Sequence, residues 1–467
     1  MMSFASFSNR VVLVSLALAV LLLCGVARGK KQEEPPKIYD TRAVELFVEA
    51  TIAEEVEDYY RAVVLYQEAL HRDSTSVTIH MALAQLHQRL DQDESALMHL
   101  DAASNLTSND THILEWIVDL LGNQEKWLEQ RPYVDHLLKL DSKNVTYNLQ
   151  LANILYQTGD RKSARRVFRK VIDLASDKTE TLERLGVMLI LNEENKLAES
   201  CFLKLCELDP VNDKAQFTLG RIYLTLEKGR DAKQRMEMAI AINDTVAQYW
   251  TSLAVLDLDA ERNAEAEHTL RRALDVLPDH PVLLDLLGSA LERQKRYQEA
   301  LDILYRSVSI DSTSVAPYIT IGFVYDETNQ FERAESTYVR ALRIEPDNAT
   351  LLNNYAYLLA ARGLRLDEAL RMSERSIEQT PDNPSYLDTM GWIYFKMEKP
   401  DHALEFLLKA AGLSDTENSE LLDHIGDVYW TLQEYRKARD YWRRALKVSP
   451  DDESIKSKLQ QPQSAQK

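Results

Sequence analysis

The side chains most able to do chemistry in this 467-residue chain are its ten histidines, three cysteines and 74 acidic residues. Metal binding asks for imidazole or thiolate ligands at set intervals, and covalent catalysis asks for a nucleophile with a base in reach. No histidine stands in ligand spacing with another histidine or a cysteine. HExxH, CxxC, GxSxG and phosphate-cradling glycine patterns do not occur. His80 and His87 lie seven apart at positions that are apolar or aromatic in comparable segments, so they read as packing residues. Glu193 and Glu194 fall in a predicted turn, an ordinary place for carboxylates in so acidic a chain. Cys201 and Cys206 share a predicted helix. Five residues apart, they point about 140° away from each other and rise about 7.5 Å, beyond easy disulfide reach. They too read as packing residues. These patterns predict a chain that is not an enzyme and takes no metal or cofactor.

What could position any of these groups is a repeat. Small residues recur at Ala50, Ala84, Val118, Ala152, Gly186, Gly220, Ala254, Gly288, Gly322, Ala356, Gly391 and Gly426, nine steps of 34 residues followed by two of 35. Twelve positions after each anchor comes an alanine, from Ala62 to Ala438. Ala369 is displaced by one residue, and the third copy has Gln130 instead. A fixed period in this range marks stacked supersecondary units, and these run from Ala43 to Asp452. No stretch is left over for a catalytic domain.

Each copy holds two amphipathic helical stretches with apolar residues three and four apart. In the last copy Leu422, Ile425 and Tyr429 mark the first helix and Tyr435, Ala438, Trp442 and Ala445 the second, with Pro450 as the stop. A glycine at 426 costs about 1 kcal/mol of helix propensity relative to alanine, which predicts close approach of another backbone, with Ala438 facing it. In the third copy, Val118 and Gln130 replace both small residues and Pro132 falls inside the second helix. The expectation there is a shortened helix beginning near Pro132, in a copy that is either a hinge or a degenerate but rigid unit.

The spacing of small, aromatic and proline positions resembles the tetratricopeptide repeat family over roughly nine tenths of the chain. The clearest copies are 315–348 (Gly322, Tyr325, Ala334, Tyr338, Ala341, Pro346) and 419–452 (Gly426, Tyr429, Ala438, Trp442, Ala445, Pro450). The resemblance implies an all-α fold, an α-solenoid of about twelve helix-turn-helix units (43–76, 77–110, 111–144, 145–178, 179–212, 213–246, 247–280, 281–314, 315–348, 349–383, 384–418 and 419–452) wound into a right-handed superhelix. Residues 453–467 would supply a capping segment and a polar tail.

In that family the first helix of every repeat lines the concave side, where ligands lie. Carried onto this sequence, the position after the anchor gives Phe323, Tyr357, Trp392 and Asp427. One turn before come Ile319, Asn353, Asp388 and Asp423, and one turn after come Phe395 and Trp430. The resemblance thus implies a groove with an aromatic strip edged by carboxylates and one amide. Its expected occupant is a protein or peptide segment, held by the rings and selected by Asp388, Asp423 and Asp427 for basic or amide groups. An asparagine ladder is not supported, because Asn354 has Thr320, Thr389 and His424 at equivalent places. A clamp for a terminal carboxylate would need basic residues where this groove has acids.

The N-terminal segment speaks to location. Arg10 precedes an uncharged apolar run from Val11 to Cys24, followed by Gly25, Val26, Ala27, Arg28 and Gly29. That order predicts a signal peptide over residues 1–29, cleaved after Ala27 or Gly29, ahead of a linker at 30–42. The run is shorter than the roughly 20 residues of a spanning helix, although an uncleaved anchor and lipidation of Cys24 are the alternatives. Membrane association would come through this segment only. The expected compartment is therefore the periplasm, cell envelope or secretory pathway, and a subunit of a polysaccharide synthesis or export complex is the rival role. Five Asn-x-Ser/Thr triplets, at Asn105, Asn109, Asn144, Asn243 and Asn348, read as turn and cap residues rather than glycan sites. A net charge of −19 excludes nucleic acid as the expected partner. The basic cluster Arg161, Lys162, Arg165, Arg166, Arg169 and Lys170 reads as a solvated helix face.

Overall fold

The computed structural model describes residues 40–107 and 109–461. The predicted export segment with Cys24, the linker as far as Tyr39 and the tail beyond Gln461 lie outside these residues. The described residues form twenty-five helices and no strand. The chain divides into two compact units, with the division between Leu174 and Ala175.

In the first unit the helices are α1 Thr41–Glu55, α2 Tyr59–Arg72, α3 Val77–Arg89, α4 Asp93–Leu106, α5 Thr111–Asn123, α6 Trp127–Leu140, α7 Val145–Gln157 and α8 Arg161–Leu174. The second unit begins with α9 Thr179–Leu191, α10 Asn195–Leu208, α11 Asp213–Thr225, α12 Gly229–Ile242, α13 Ala247–Asp259, α14 Asn263–Val276, α15 Pro281–Arg293 and α16 Tyr297–Ile310. It continues with α17 Ala316–Glu327, α18 Phe331–Ile344, α19 Ala349–Ala361, α20 Leu366–Gln379, α21 Pro384–Lys396, α22 Pro400–Leu413, α23 Ser419–Thr431, α24 Tyr435–Val448 and α25 Glu453–Gln460. Odd-numbered helices up to α23 are the first of a repeat and even-numbered ones the second. Each unit is an α-solenoid of hairpins stacked side by side.

Every repeat has a left-handed residue in its hairpin turn. Glu57, Asp91, Glu125, Gly159, Glu193, Glu227, Glu261, Lys295, Asn329, Gly363, Glu398 and Gln433 all have positive φ. In eleven of the twelve repeats, all but the fourth, the next N–H bonds five residues back, as Lys228 does to the Tyr223 carbonyl at 2.8 Å, which closes the Schellman pattern on the first helix. Left-handed backbone costs about 1–2 kcal/mol per residue for side chains other than glycine. Glu227→Gly is therefore expected to stabilise the chain by about 1 kcal/mol or less, glycine's own entropy cost offsetting part of the relief. A lower thermal midpoint would contradict this. The helices that follow are often capped as the cap residues predict. Asn144 and Asn348 accept from the Tyr147 and Leu351 amides at 3.2 and 3.1 Å.

Two expectations about packing are corrected. At Gly186, Gly288, Gly322, Gly391 and Gly426 the closest neighbour is the side chain four residues beyond the alanine, which projects back across the hairpin, whereas Gly220 meets the Ala232 carbonyl and Met236 equally. Trp442 lies against Gly426, Tyr338 against Gly322, and Leu407 Cγ would stand 2.6 Å from a Cβ added at Gly391. At Gly426 the ring comes nearer than Ala438, while at Gly220 and Gly391 the carbonyl of the corresponding alanine, Ala232 or Ala403, is among the closest atoms, as the glycines predict. Gly322 makes room for the Tyr338 ring, so Gly322→Leu is expected to cost roughly 1–3 kcal/mol by overpacking against it. Hydrogen exchange should quicken in repeats nine and ten first, and a uniform rise along the second unit would contradict nearest-neighbour stability.

The second correction concerns repeat three, where α6 starts at Trp127 and carries Pro132 within it. Proline lacks the N–H that would bond to the Leu128 carbonyl, and Leu128 is 75% exposed, so water can reach that end of the helix. The buried Gln130 replaces the missing alanine by donating from Nε2 to the Val118 carbonyl at 2.8 Å. Repeat three lies inside the first unit and packs on both of its neighbours.

Candidate functional site

Within the second unit, every non-consecutive helix pair in substantial contact is a pair of first helices: α13 with α15, α15 with α17, α17 with α19, α19 with α21 and α21 with α23. First helices therefore lie on the inner side of the stack, and the residues after their anchors face the groove they form. Phe323 on α17 is 41% exposed there. On α19, Tyr357 donates its hydroxyl to Glu420 of α23, a bond from the tenth repeat to the twelfth. Burial, and then the Glu420 carboxylate, push the Tyr357 phenol far up.

At the centre of the strip is Trp392 of α21. Its indole stacks on His424 of α23 with centroids 3.9 Å apart and planes 16° from parallel, and on Phe395 at 5.0 Å. The Lys396 ammonium lies 4.5 Å from the same ring centroid. His424 is 4% exposed, with Nδ1 2.8 Å from Asp388 Oδ1. Burial alone would lower the imidazole's pKa, but the Asp388 charge and hydrogen bond outweigh it and the net direction is upward. Asp388 thus favours the charged form of the buried imidazole beneath an indole face, a placement that also favours a cation.

The acids at the C-terminal end already hold a cation. Lys458 Nζ of α25 lies 2.7 Å from Asp423 Oδ2 and 2.8 Å from the Asp427 carboxylate. Burial would lower the ammonium's pKa, yet the two carboxylates raise it on balance. Burial raises the Asp423 carboxyl even with Lys458 beside it. Trp430 packs on Tyr435 and Trp442 at 4.7 and 5.3 Å rather than standing alone. The nine residues carried over from the resemblance thus separate. Phe323, Asn353, Tyr357, Trp392 and Phe395 belong to one wall, whereas Asp388, Asp423 and Asp427 are engaged by His424 and Lys458.

Three polar atoms on successive first helices are buried without a hydrogen-bond partner: Asn353 Oδ1, Trp392 Nε1 and Asp423 Oδ1. Asn353 is 6% exposed, and its Nδ2 donates to Asn354 at 3.3 Å. Groups of this kind normally find partners. These two acceptors and one donor lie beside flat apolar rings on the inner side of the first helices, an arrangement suited to binding. Sequence reasoning missed His424, Glu420 and Lys458. A signal was available in the register: Lys458 follows His424 by one period of 34, and each cation meets the aspartate of the preceding repeat.

Profiles of known families match most of these repeats. One described as tetratricopeptide repeat covers residues 419–452 and another 384–416. A third, described as the C-terminal domain of cilia and flagella-associated protein 70, covers 128–357. The chain belongs to the tetratricopeptide repeat family. Its tetratricopeptide repeats are similar to part of human Protein O-mannosyl-transferase TMTC3, 29% identical over 202 residues, which is 40% of this chain and 22% of that protein. They are also similar to the TPR repeat-containing protein PA4667 of Pseudomonas aeruginosa, 27% identical over 219 residues, 46% of this chain and 36% of the relative. The matched region thus spans between about a fifth and about a third of these relatives' own length. A crystal structure of the APC/C hetero-tetramer Cut9-Hcn1 aligns with 90% of this chain and 89% of its own at 12% identity and a TM-score of 0.45.

Proposed function

We propose that this tetratricopeptide repeat protein is a non-catalytic scaffold of the cell envelope or secretory compartment, and that it holds a segment of a partner protein along the first helices of repeats nine to eleven. The observation that carries the reading is the set of buried, unpartnered polar atoms, Asn353 Oδ1 and Trp392 Nε1, beside the aromatic wall of Phe323, Tyr357 and Trp392. A peptide supplies both donors and acceptors, and rings of this kind are frequent interface anchors. Because His424 and Lys458 neutralise the neighbouring acids, side-chain charge is a weaker selector than the aspartates alone would suggest. The export reading is supported by the basic start and apolar run of residues 1–29, and mass spectrometry of the mature N-terminus tests it.

Phe323→Ala with Trp392→Ala is expected to weaken capture of the native partner at least about tenfold, since central aromatic anchors contribute most of an interface's affinity. Quantitative affinity purification from the source cells reads this, and unchanged recovery of every partner rejects the groove. Binding of soluble glycans to the purified chain, lost in the same variant, would instead favour the polysaccharide-complex role.

A further inference from the structure

Repeat two buries three histidines against one another. His80 and His87 of α3 are 8% and 6% exposed, and His99 of α4 is 6% exposed. One period on, Leu114 and Leu121 stand at the levels of His80 and His87, so the hairpin does not need polar rings there. The Nδ1 atoms of His80 and His99 lie 3.1 Å apart. Two ring nitrogens at that separation share one proton, which one imidazole donates and the other accepts. Both rings cannot therefore be charged while the bond lasts. His87 donates from Nδ1 to Gln92 Oε1 at 2.7 Å, and its ring stacks near that of His99 with centroids 5.5 Å apart and planes 11° from parallel.

No carboxylate among the described residues bonds to these rings. The charged groups of the surrounding helices are turned to solvent or engaged elsewhere. On α2, Arg61, Glu68, His71 and Arg72 are exposed. Arg89 of α3 reaches Glu54 of α1 at 3.2 Å. On α4, Asp93 accepts from Gln124 and Asp101 from Tyr133, while Glu94 lies 3.8 Å from Lys126. On α5, Glu115 accepts from Tyr147, and His112 and Asp119 are exposed. Burial, and then the charges of His80 and His87, push the His99 imidazole down to about 4, and burial lowers His80 even with the Ser74 carbonyl beside it. This is the reverse of His424, where Asp388 offsets burial.

We propose that the three rings make repeat two an acid-sensitive joint of the first unit: protonation of the His80–His99 pair loosens the α3–α4 hairpin and the repeats on either side of it. A buried charge without a partner is costly, and opening the hairpin gives it water. With the hairpin closed, both imidazoles titrate below the unfolded value of about 6.5. Their contribution to stability is thus complete above that value and is lost as pH falls through the lower folded values. From His99 alone, the ratio of closed to open hairpin should fall about twentyfold between pH 7 and 5. Nearest-neighbour packing carries the loss to repeats one and three first.

The test is hydrogen exchange on the full chain at pH 7 and pH 5, read as protection factors so that the chemistry of exchange itself cancels. Protection in α3 and α4 is expected to fall about twentyfold, with smaller losses in α2 and α5 and none in α9 to α12, which carry no histidine. Unchanged protection in α3 and α4 overturns the inference, as does an equal fall in α9 to α12. His80→Leu with His99→Val places at these levels the side chains that Leu114 and Val167 already supply in repeats three and four, and the fall is expected to vanish. A fall as large as the parent chain's in that variant rejects the pair as its cause. Should it fail to fold, His99→Gln provides a second reading, since glutamine stays neutral and still offers both a donor and an acceptor to His80. The fall is then expected to shrink to that of His80 alone, and one of undiminished size again overturns the inference.

Discussion

Replacing Asp388 by alanine is expected to destabilise the C-terminal repeats by about 3 kcal/mol and to reverse their response to acid, because removal of one member strands the other charge of a buried pair. The carboxylate side chain is 16% exposed and that of His424 only 6%. The folded-state imidazole titrates above its ordinary value because Asp388 outweighs the cost of burial. Its contribution to stability is thus complete below the unfolded value of about 6.5 and is lost as pH rises through the higher folded value. Without Asp388, burial, the largest single influence on the ring, is expected to prevail over the smaller effects of Glu420 and Asp423. The folded-state imidazole then titrates below its ordinary value, and the variant loses stability as pH falls through the histidine range. Denaturant midpoints measured between about pH 5 and 8 should slope in opposite directions for the two chains. Parallel slopes would show that Asp388 does not hold the charge on His424. The same variant should loosen Trp392, whose face rests on that imidazole.

Trp442→Ala carries the largest expected loss, about 3–5 kcal/mol, the usual range for truncating a buried aromatic to alanine. The ring is 1% exposed, fills the space left open by Gly426, donates from Nε1 to Asp427 Oδ1 at 3.2 Å and supports Trp430. Its removal leaves Asp427 with Lys458 alone as well as opening a void. Because repeats depend on their immediate neighbours, hydrogen exchange should accelerate in α21 to α25 while α9 to α16 keep their protection. Adding Gly426→Leu to the variant refills the void and is expected to recover part of the loss. The glycine substitution alone should destabilise by overpacking. Loss of protection spread evenly over the second unit would contradict this account.

Much of the fold was legible because its information is local and repeated. The period from Ala50 to Gly426, the alanines twelve residues on and the asparagine caps at 144 and 348 each depend on neighbours a few residues away. Twelve copies then reinforce one another. The left-handed turn went unseen because most copies place Glu or another ordinary residue at a position where glycine would have marked it. Repeat three was misread for a similar reason. Proline was taken as a helix start, whereas an exposed turn around Leu128 tolerates it further in.

The site was legible only in outline. The sequence by itself determined which residues share the inner side of the first helices, because a repeating helix returns each position to the same face every period. Only the tertiary structure decided which of those residues stay open. Asp388, Asp423 and Asp427 read as free selectors until His424 and Lys458 were found beside them, each from the next first-helix position along the stack. Tyr357 likewise read as an anchor until Glu420 met it from two repeats away. Periodicity sets the direction a side chain faces. The reach of a flexible lysine or a tyrosine hydroxyl across the curved inner surface depends on how closely the helices stack, a distance set by packing of the whole unit.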